Sequence, residues 1–244
     1  MKIRVINPNT SAAMTAKIGA AARAVAAPGT LIDAVQPSFG AASIEDHHDD
    51  VWAAAGVAEQ VRAGEAAQAD AHVIACFGDP GLHAARELAR GPVIGIAEAA
   101  FHAATLIATG FSVVTTLTRT CVIAEHLVLQ YGFERRCRGI HGTDIAVLEL
   151  DDPASRAFER ILECAQHALE HDRSGAIVLG CAGMADLCHE LQQRLGVPVI
   201  DGVGAAVKLA EGLVGLGLAT SKRGDYAAPL AKAYAGLAAP YSPG

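Results

Sequence analysis

Two short apolar runs in this chain each contain a cysteine with a glycine two residues further on. Cys76 stands in the run HVIACFG, and Cys181 stands in the run AIVLGCAG. The two cysteines are 105 positions apart, and Pro92 and Pro198, which open the next strand-like stretch of each half, are 106 apart. An internal repeat of this period predicts two copies of one structural unit. Two thiols related by a pseudo-twofold axis would face each other across a cleft.

Short, β-branched and continuously apolar stretches recur along the chain, a pattern typical of strands buried on both faces. They are Ile3–Ile6, Leu31–Val35, Val73–Ala75, Val93–Ile96, Ser112–Thr116, Arg138–His141, Ala176–Leu179 and Val197–Ile200. Alanine-rich stretches such as Ala12–Ala26 and Val51–Ala69 separate them and are predicted to be crossover helices. We therefore predict an α/β fold of two pseudo-twofold-related parallel-sheet halves, Rossmann-like or flavodoxin-like, with the active site between them.

The repeat also predicts how the halves divide the chain. The first half is expected to span residues 1–105 together with a C-terminal helix at about 205–236, which packs back onto it. The second half is expected to span residues 106–204.

Composition excludes several classes of function. Of the 244 residues, 52% are hydrophobic and 18% charged, as in ordinary soluble globular proteins, and the net charge of −7 with scattered basic residues disfavours nucleic acid and anionic membranes as partners. No apolar run approaches the roughly 20 residues that span a bilayer, and we expect no signal peptide. Six cysteines without CxxC pairs fit free thiols in a reducing compartment. We predict a cytoplasmic protein that takes a small-molecule substrate and forms a homo-oligomer, with the number of subunits left open.

The chemistry of a parallel sheet gathers at the carboxyl ends of its strands. Here those ends carry Asn7–Ser11, Cys76–Gly81, Thr115–Thr118 and Cys181–Met184. Asp79-Pro80 predicts an N-cap and first helical position after the first cysteine, and a helical stretch also follows the second. A thiol that faces a helix amino end is favoured as the thiolate, so we expect both thiols to have lowered pKa values.

The alternative for any single cysteine is an inert, buried, small apolar residue. Their equivalent positions favour a functional role for Cys76 and Cys181. The remaining cysteines keep the structural interpretation; they are Cys121, Cys137, Cys164 and Cys188.

Two equivalent acids or bases on opposite faces of one carbon suit proton exchange at a stereocentre, because one thiolate removes the proton while the opposing thiol delivers another. Gly78 and Gly183 would let backbone amides approach an oxygen that becomes enolate-like. The hydroxyls of Thr116 and Thr118, with the Asn9 amide, could hold the rest of a small polar substrate. Turn and capping chemistry explains Asn9 equally well.

These motifs resemble the aspartate/glutamate racemase superfamily, in particular its hydantoin and allantoin racemase branch. The resemblance is carried by Ala75–Gly81 paired with Gly180–Met184, and by Ile6–Ser11 and Phe39–Glu45. It covers nearly the whole chain.

The resemblance implies a cofactor-independent racemase that interconverts D- and L-5-monosubstituted hydantoins, or allantoin, with Cys76 and Cys181 as the acid/base pair. It also implies that six residues lie near the bound ring: Asn9, Phe39, Gly78, Thr116, Thr118 and Gly183. The amino acid racemases of the superfamily place Thr-His after the second cysteine, whereas this chain has Ala182-Gly183. The C5 proton of a hydantoin is more acidic than the alpha proton of a zwitterionic amino acid, so this substitution favours the neutral ring.

Other functions stay open. One is an aspartate/glutamate-type amino acid racemase, and another is an arylmalonate-decarboxylase-like lyase or a maleate-isomerase-like enzyme. Such decarboxylases need only one catalytic cysteine, so the presence of both argues against them. A third is a redox or ligand-binding module in which Cys76 and Cys181 form a reversible disulfide or bind a ligand.

No metal and no cofactor are predicted. Asp46–Asp50 reads DHHDD, which lacks the spacing of metal ligands and is interpreted as a solvated loop or helix start. Gly202–Val207 half-matches a dinucleotide fingerprint but has Val207 at the third glycine position. The lysines occupy helices or termini rather than strand ends, where pyridoxal phosphate would need one.

Overall fold

Two four-stranded parallel sheets of equivalent order form the protein in a computed structural model, which describes residues 1–150 and 152–243. The first sheet has the order β2-β1-β3-β4 and the second the order β6-β5-β7-β8. Their strands are β1 Lys2–Ile6, β2 Leu31–Val35, β3 Ala71–Ile74, β4 Val93–Gly95, β5 Phe111–Thr115, β6 Cys137–Gly142, β7 Ala176–Leu179 and β8 Val199–Ile200. The second sheet thus repeats the first strand by strand, which confirms the α/β prediction.

Helices connect the strands as crossovers. They are α1 Ala12–Val25, α2 His47–Ala66, α3 Leu82–Leu88, α4 Ile96–Ile107, α5 Cys121–Gln130, α6 Ala157–Asp172, α7 Cys188–Leu195 and α8 Gly202–Gly215. Side-chain caps fix where several begin. Ser11 accepts the Met14 amide at the start of α1, and Asp46 accepts the first amides of α2. Among these described helices, none has the length and apolar character needed to cross a membrane.

The helix that follows the last strand of each sheet, α4 or α8, also packs against the other sheet. Ala100 and Phe101 of α4 pack in a core cluster with Phe111 of the second sheet. Val207 of α8 packs in a cluster with Val5 of the first sheet. The sequence assigned residues 96–105 to the first half, and the structure divides this stretch: Ile96 and Ala99 pack in the cluster of the first sheet, whereas Ala100 and Phe101 pack in that of the second. This packing interlocks the two sheets and holds the strand ends of both at one cleft.

The C-terminal helix is shorter than predicted. It ends at Gly215, not near residue 236, and the described residues after it hold two short 3-10 turns but no α-helix. Gly212, Gly215 and Gly217 follow one another closely, and Gly217 has a φ of 71°. Glycine is a poor helix former and readily takes this left-handed conformation, so the helix stops there.

Candidate active site

A cleft lies where the carboxyl ends of the two sheets meet, with about 660 Å³ of empty space when the open solvent at its entrance is included. Its walls come from both copies of the repeat. The lining residues are Asn7, Asn9, Met14, Ile44, Asp50, Ala75, Cys76, Phe77, Gly78, Thr115, Thr116, Thr120, Ile123, Ala124, Val147, Gly180, Cys181 and Ala182. The two cysteines singled out by the sequence therefore share one cleft.

Cys76 follows the end of β3 and is only partly exposed in the cleft. Burial raises the pKa of its thiol to about 12, while a hydrogen bond from the Gly78 backbone amide acts in the opposite direction. The charges of Cys181, Asp50 and Asp79 raise this pKa further. The predicted lowering of the Cys76 pKa is wrong for this structure, because burial and three negative neighbours outweigh the amide.

Cys181 follows β7 through Gly180, in an extended conformation that precedes the 3-10 helix Ala182–Leu187. It is partly buried, as Cys76 is. The two thiols are close enough for the charge of Cys181 to raise the pKa of Cys76. Ionisation of one thiol therefore disfavours ionisation of the other.

The glycine after each cysteine has a different spatial role. A Cβ placed on Gly78 would lie 3.5 Å from Asp50 Oδ1, 3.8 Å from Ile123 Cγ2 and 3.9 Å from Cys76 Sγ, so this position opens directly onto the cleft. A Cβ on Gly183 would lie 2.8 Å from Leu150 Cδ1 and 3.6 Å from Cys181 Sγ. Gly78 keeps cleft space free beside Cys76, whereas Gly183 permits close packing against Leu150.

Asn7 and Asn9 form a buried amide pair at the end of β1. Asn7 Nδ2 donates to Asn9 Oδ1 at 2.7 Å and to Thr15 Oγ1 at 3.0 Å. Asn9 Nδ2 contacts Met14 Sδ at 3.2 Å, and a thioether is a weak acceptor. The Asn9 amide is thus held rigidly with donor capacity left toward the cleft.

The equivalent end of β5 contributes hydroxyl groups. Thr116 is buried and lines the cleft, as Thr115 does. Thr115 Oγ1 donates to the Gly180 carbonyl at 2.9 Å, which ties the ends of β5 and β7 together. Thr115 is therefore held next to the strand end that carries Cys181, and Thr116 follows it in the lining of the cleft.

Three of the predicted binding residues are not among those that line the cleft. Thr118 is exposed, and its backbone amide donates to Asp144 Oδ1 at 3.0 Å, away from the lining. Phe39 is partly buried in the loop after β2 and does not line the cleft. Gly183 is next to the lining residues Cys181 and Met14 but does not itself line the cleft. The structure brings Asn9, Gly78 and Thr116 together with both cysteines.

Asp50 is a cleft residue that the sequence did not single out. It lies in α2 one turn after the capping residue Asp46, is partly exposed, and burial raises the pKa of its carboxyl. The spacing of Asp46 and Asp50 was a sequence signal for this position, because a residue four positions after an N-cap lies one turn further on and near the same helix face. It is the one charged side chain among the described residues that line the cleft.

The sequence predicts that Asp79 caps the helix that follows Cys76, and this prediction is wrong. That helix begins at Leu82 with Gly81 as its N-cap, while the backbone of Asp79 has a φ of 44°. The carboxylate turns instead to the start of α4, where it accepts the amides of Ala97 at 3.1 Å and Glu98 at 3.0 Å. The local pattern was that of a cap, but the capped helix is a different one.

A hydrogen bond between Glu45 and Val147 joins the two halves beside the cleft. Glu45, in the loop after β2, accepts the Val147 amide on its Oε1 at 2.8 Å. Val147 belongs to the second half and lines the cleft together with Ile44. This hydrogen bond therefore fixes one rim of the cleft against the other.

The DHHDD segment has no arrangement of metal ligands. Asp46 accepts the amides of His48 and Asp49 at 3.0 Å as a helix cap. In the part of the chain that the structure describes, no group of three or more His, Cys, Asp or Glu side chains could hold a metal ion.

Comparison with known proteins gives concordant results. A family model described as Asp/Glu/Hydantoin racemase matches residues 3–210. A hydantoin racemase of Rhizobium meliloti is 50% identical over 236 residues, which cover 97% of this chain and 98% of that protein. The structure of allantoin racemase from Klebsiella pneumoniae is 61% identical with a TM-score of 0.97, and the match covers 100% of this chain and 99% of that one.

A more distant likeness concerns the fold alone. The crystal structure of arylmalonate decarboxylase is 20% identical with a TM-score of 0.64, and the match covers 93% of this chain and 97% of that one.

Proposed function

The chain belongs to the Asp/Glu/hydantoin racemase family, and from this premise we propose that it racemises 5-monosubstituted hydantoins, allantoin included, by proton exchange between two thiols. The chain is an isomerase. The observation that carries the proposal is the presence of Cys76 and Cys181 at equivalent strand ends in one cleft.

In the proposed reaction the thiolate of one cysteine takes the C5 proton and the thiol of the other donates a proton to the opposite face. The C5–H bond breaks, its electron pair passes into the adjacent carbonyl as an enolate, and a new C5–H bond forms on the other face. The reverse reaction exchanges the two roles. A raised pKa of Cys76 supports its role as the thiol that donates, and mutual repulsion supports one thiolate and one thiol at a time.

Supporting groups are proposed for the rest of the ring. The Asn9 amide and the Thr116 hydroxyl are suited to its polar atoms. Because the Gly78 amide lowers the pKa of Cys76, it stabilises that residue when it acts as the base. Stabilisation of a developing charge by fixed donors is a large contribution in reactions of this kind.

The charges of the cleft favour a neutral substrate over an anion. The described lining holds no Lys, Arg or His side chain and has one carboxylate, Asp50. An amino acid, a malonate or a maleate would bring a carboxylate into this cleft with no cation in the lining to meet it. A neutral hydantoin brings none, so the hydantoin proposal is preferred to the amino acid racemase and the lyase.

We also propose a cytoplasmic homo-oligomer. Large apolar side chains stand exposed on the single chain, with Leu106 82%, Leu230 82% and Leu237 92% exposed. We propose that association between copies covers these side chains. Light scattering after size exclusion measures the number of subunits.

Replacement of each thiol tests the proposal. Cys76→Ser and Cys181→Ser are each expected to lower racemisation of a 5-substituted hydantoin by at least about 1,000-fold, because a serine hydroxyl is a far weaker acid than a thiol and hardly ionises to the base that the reaction needs. Cys188→Ser is the matched control, since Cys188 does not line the cleft. Near-parent racemisation by either of the first two variants would overturn the two-thiol assignment.

A further inference from the structure

The Asp50 carboxylate lines the cleft, and the charge of His47 acts on it without a hydrogen bond or an ion pair between the two. None of the described residues donates a hydrogen bond to the Asp50 oxygens or forms an ion pair with them, whereas the carboxylates of its neighbours Asp46 and Asp49 accept backbone amides. It is partly buried, and burial raises its pKa. A partly desolvated carboxylate is stabilised when a donor approaches it, so a ligand that supplies an N–H gains affinity there.

Gly78 shows where the Asp50 carboxylate lies relative to the Cys76 sulfur. Asp50 Oδ1, Ile123 Cγ2 and Cys76 Sγ all lie within 4 Å of the point where a Gly78 Cβ would be. A carbon that exchanges a proton with Cys76 must lie next to its sulfur. Of the three heavy atoms attached to that carbon, we place the first atom of the 5-substituent, rather than ring atom N1 or C4, close to the Asp50 carboxylate and the Ile123 methyl group.

The surroundings define what this attached group can be. Ile44 and Ile123 give the cleft apolar surface near the mouth, and Asp50 is the charged group there among the described residues. A flat group whose first atom carries an N–H matches both features, because its faces are covered by methyl groups and its N–H points to the carboxylate. A ureido group has this form, whereas an alkyl or benzyl group has no donor at that atom.

We propose that Asp50 is a specificity-determining residue that accepts the N–H of the 5-substituent and so selects ureido-bearing hydantoins. This inference rests on the proposed racemisation of hydantoins. A site built to hydrogen-bond an N–H strongly disfavours an analogue that lacks it, because the buried acceptor is then left unpaired.

Two substrates of equal size isolate this hydrogen bond. Allantoin is 5-ureidohydantoin, and 5-(carbamoylmethyl)hydantoin replaces its first side-chain N–H by CH₂ while the carbonyl and terminal amide stay. Enzyme-catalysed exchange of the C5 proton is measured for both in heavy water, with the uncatalysed rate subtracted. The readout is the ratio of the two kcat/KM values, which cancels any general effect of a variant on the acidity of Cys76.

The parent protein is expected to favour allantoin by about 10-fold or more. Asp50→Ala should bring the ratio to about one, and Asp50→Asn should give an intermediate ratio because its amide oxygen is a weaker, neutral acceptor. Asp49→Asn is the matched control and should keep the parent ratio. Asp49 accepts the Glu45 amide at 3.1 Å, which an asparagine oxygen can also do, and it does not line the cleft.

The outcomes separate this inference from the function on which it rests. A parent ratio near one, or an unchanged ratio in Asp50→Ala, overturns the role of Asp50 while racemisation that depends on Cys76 stands. A parent protein that exchanges the C5 proton of neither substrate overturns the proposed function and this inference with it. Urea unfolding of each variant confirms that the comparison is made between folded proteins.

Discussion

The hydroxyl of Tyr131 donates a 2.9 Å hydrogen bond to Oδ2 of Asp79, across the boundary between the two halves. Tyr131 ends α5, and Asp79 lies three residues after Cys76. The same carboxylate also caps α4. One buried carboxylate therefore ties the loop of the first cysteine to two helices that pack with the second sheet.

Loss of the Tyr131 hydroxyl should weaken the fold more than the cleft. Tyr131→Phe removes one donor from a buried carboxylate, so we expect the free energy of unfolding to fall by about 1–2 kcal/mol. Tyr226→Phe is the control, since its hydroxyl contacts the exposed His83 at 2.9 Å and accepts only a long hydrogen bond of 3.4 Å from Arg86, so it should contribute under about 0.5 kcal/mol. Urea unfolding measures both, and equal losses would contradict the importance of the Tyr131 bond.

The pKa of Asp79 makes stability depend on pH in an unusual direction. Burial raises this pKa to about 7, from an ordinary 3.8. Between these values the folded protein keeps a proton that the unfolded chain has released, so this group makes stability fall as pH rises from about 4 to about 7.

Asp79→Asn removes this contribution. Its unfolding free energy should decline less steeply across that pH range than the parent's, whatever its absolute stability. Urea unfolding at a series of pH values gives both slopes, and parallel slopes would be inconsistent with a raised Asp79 pKa.

Gly78 should matter for activity and little for folding. An alanine Cβ there meets neighbours at 3.5–3.9 Å, which is ordinary contact, but it occupies cleft space between Asp50 and Cys76. Gly78→Ala is expected to lower kcat/KM at least about 10-fold with a change of under about 1 kcal/mol in unfolding free energy.

Gly212→Ala serves as its control. A Cβ at this position in α8 would meet nothing within 4 Å, so the variant should keep full activity and gain roughly 0.5–1 kcal/mol from better helix propensity. Full activity in Gly78→Ala would show that substrate does not use the space beside Cys76.

The Glu45–Val147 hydrogen bond should affect substrate binding through the cleft rim. Glu45→Ala frees the Val147 amide and loosens a lining residue, so KM is expected to rise several-fold with a smaller change in kcat. Glu45→Gln keeps an acceptor oxygen and should restore most of the parent KM. Steady-state kinetics on one hydantoin measures KM for each variant. Equal KM values in Glu45→Ala and the parent would contradict a role of the Glu45–Val147 hydrogen bond in substrate binding.

Local patterns predicted much of this fold. Each predicted strand overlaps an observed one, because continuous β-branched runs define buried parallel strands without reference to distant residues. The cysteines were found for the same reason, since Cys76 and Cys181 each sit in a short motif at a strand end.

What failed depended on tertiary packing. The Asp-Pro pattern at Asp79 predicts a cap, but a left-handed backbone turned its carboxylate toward α4. A nearby helix start suggested a low pKa for Cys76, and the burial that reverses it is not visible in a local motif. Asp50 enters the cleft because of how α2 packs, and Thr118 lies outside because the chain turns after Thr116.

The stereochemistry of deuterium incorporation tests the two-thiol mechanism most directly. One enantiomer of a 5-substituted hydantoin is converted to low extent in heavy water, and the C5 deuterium of the remaining substrate and of the product is measured separately, corrected for uncatalysed exchange. With Cys76 and Cys181 on opposite faces, the product should carry deuterium at C5 while the remaining substrate keeps its proton. Deuterium appearing equally in both enantiomers from the start would mean that a single base serves both faces, and would contradict the mechanism.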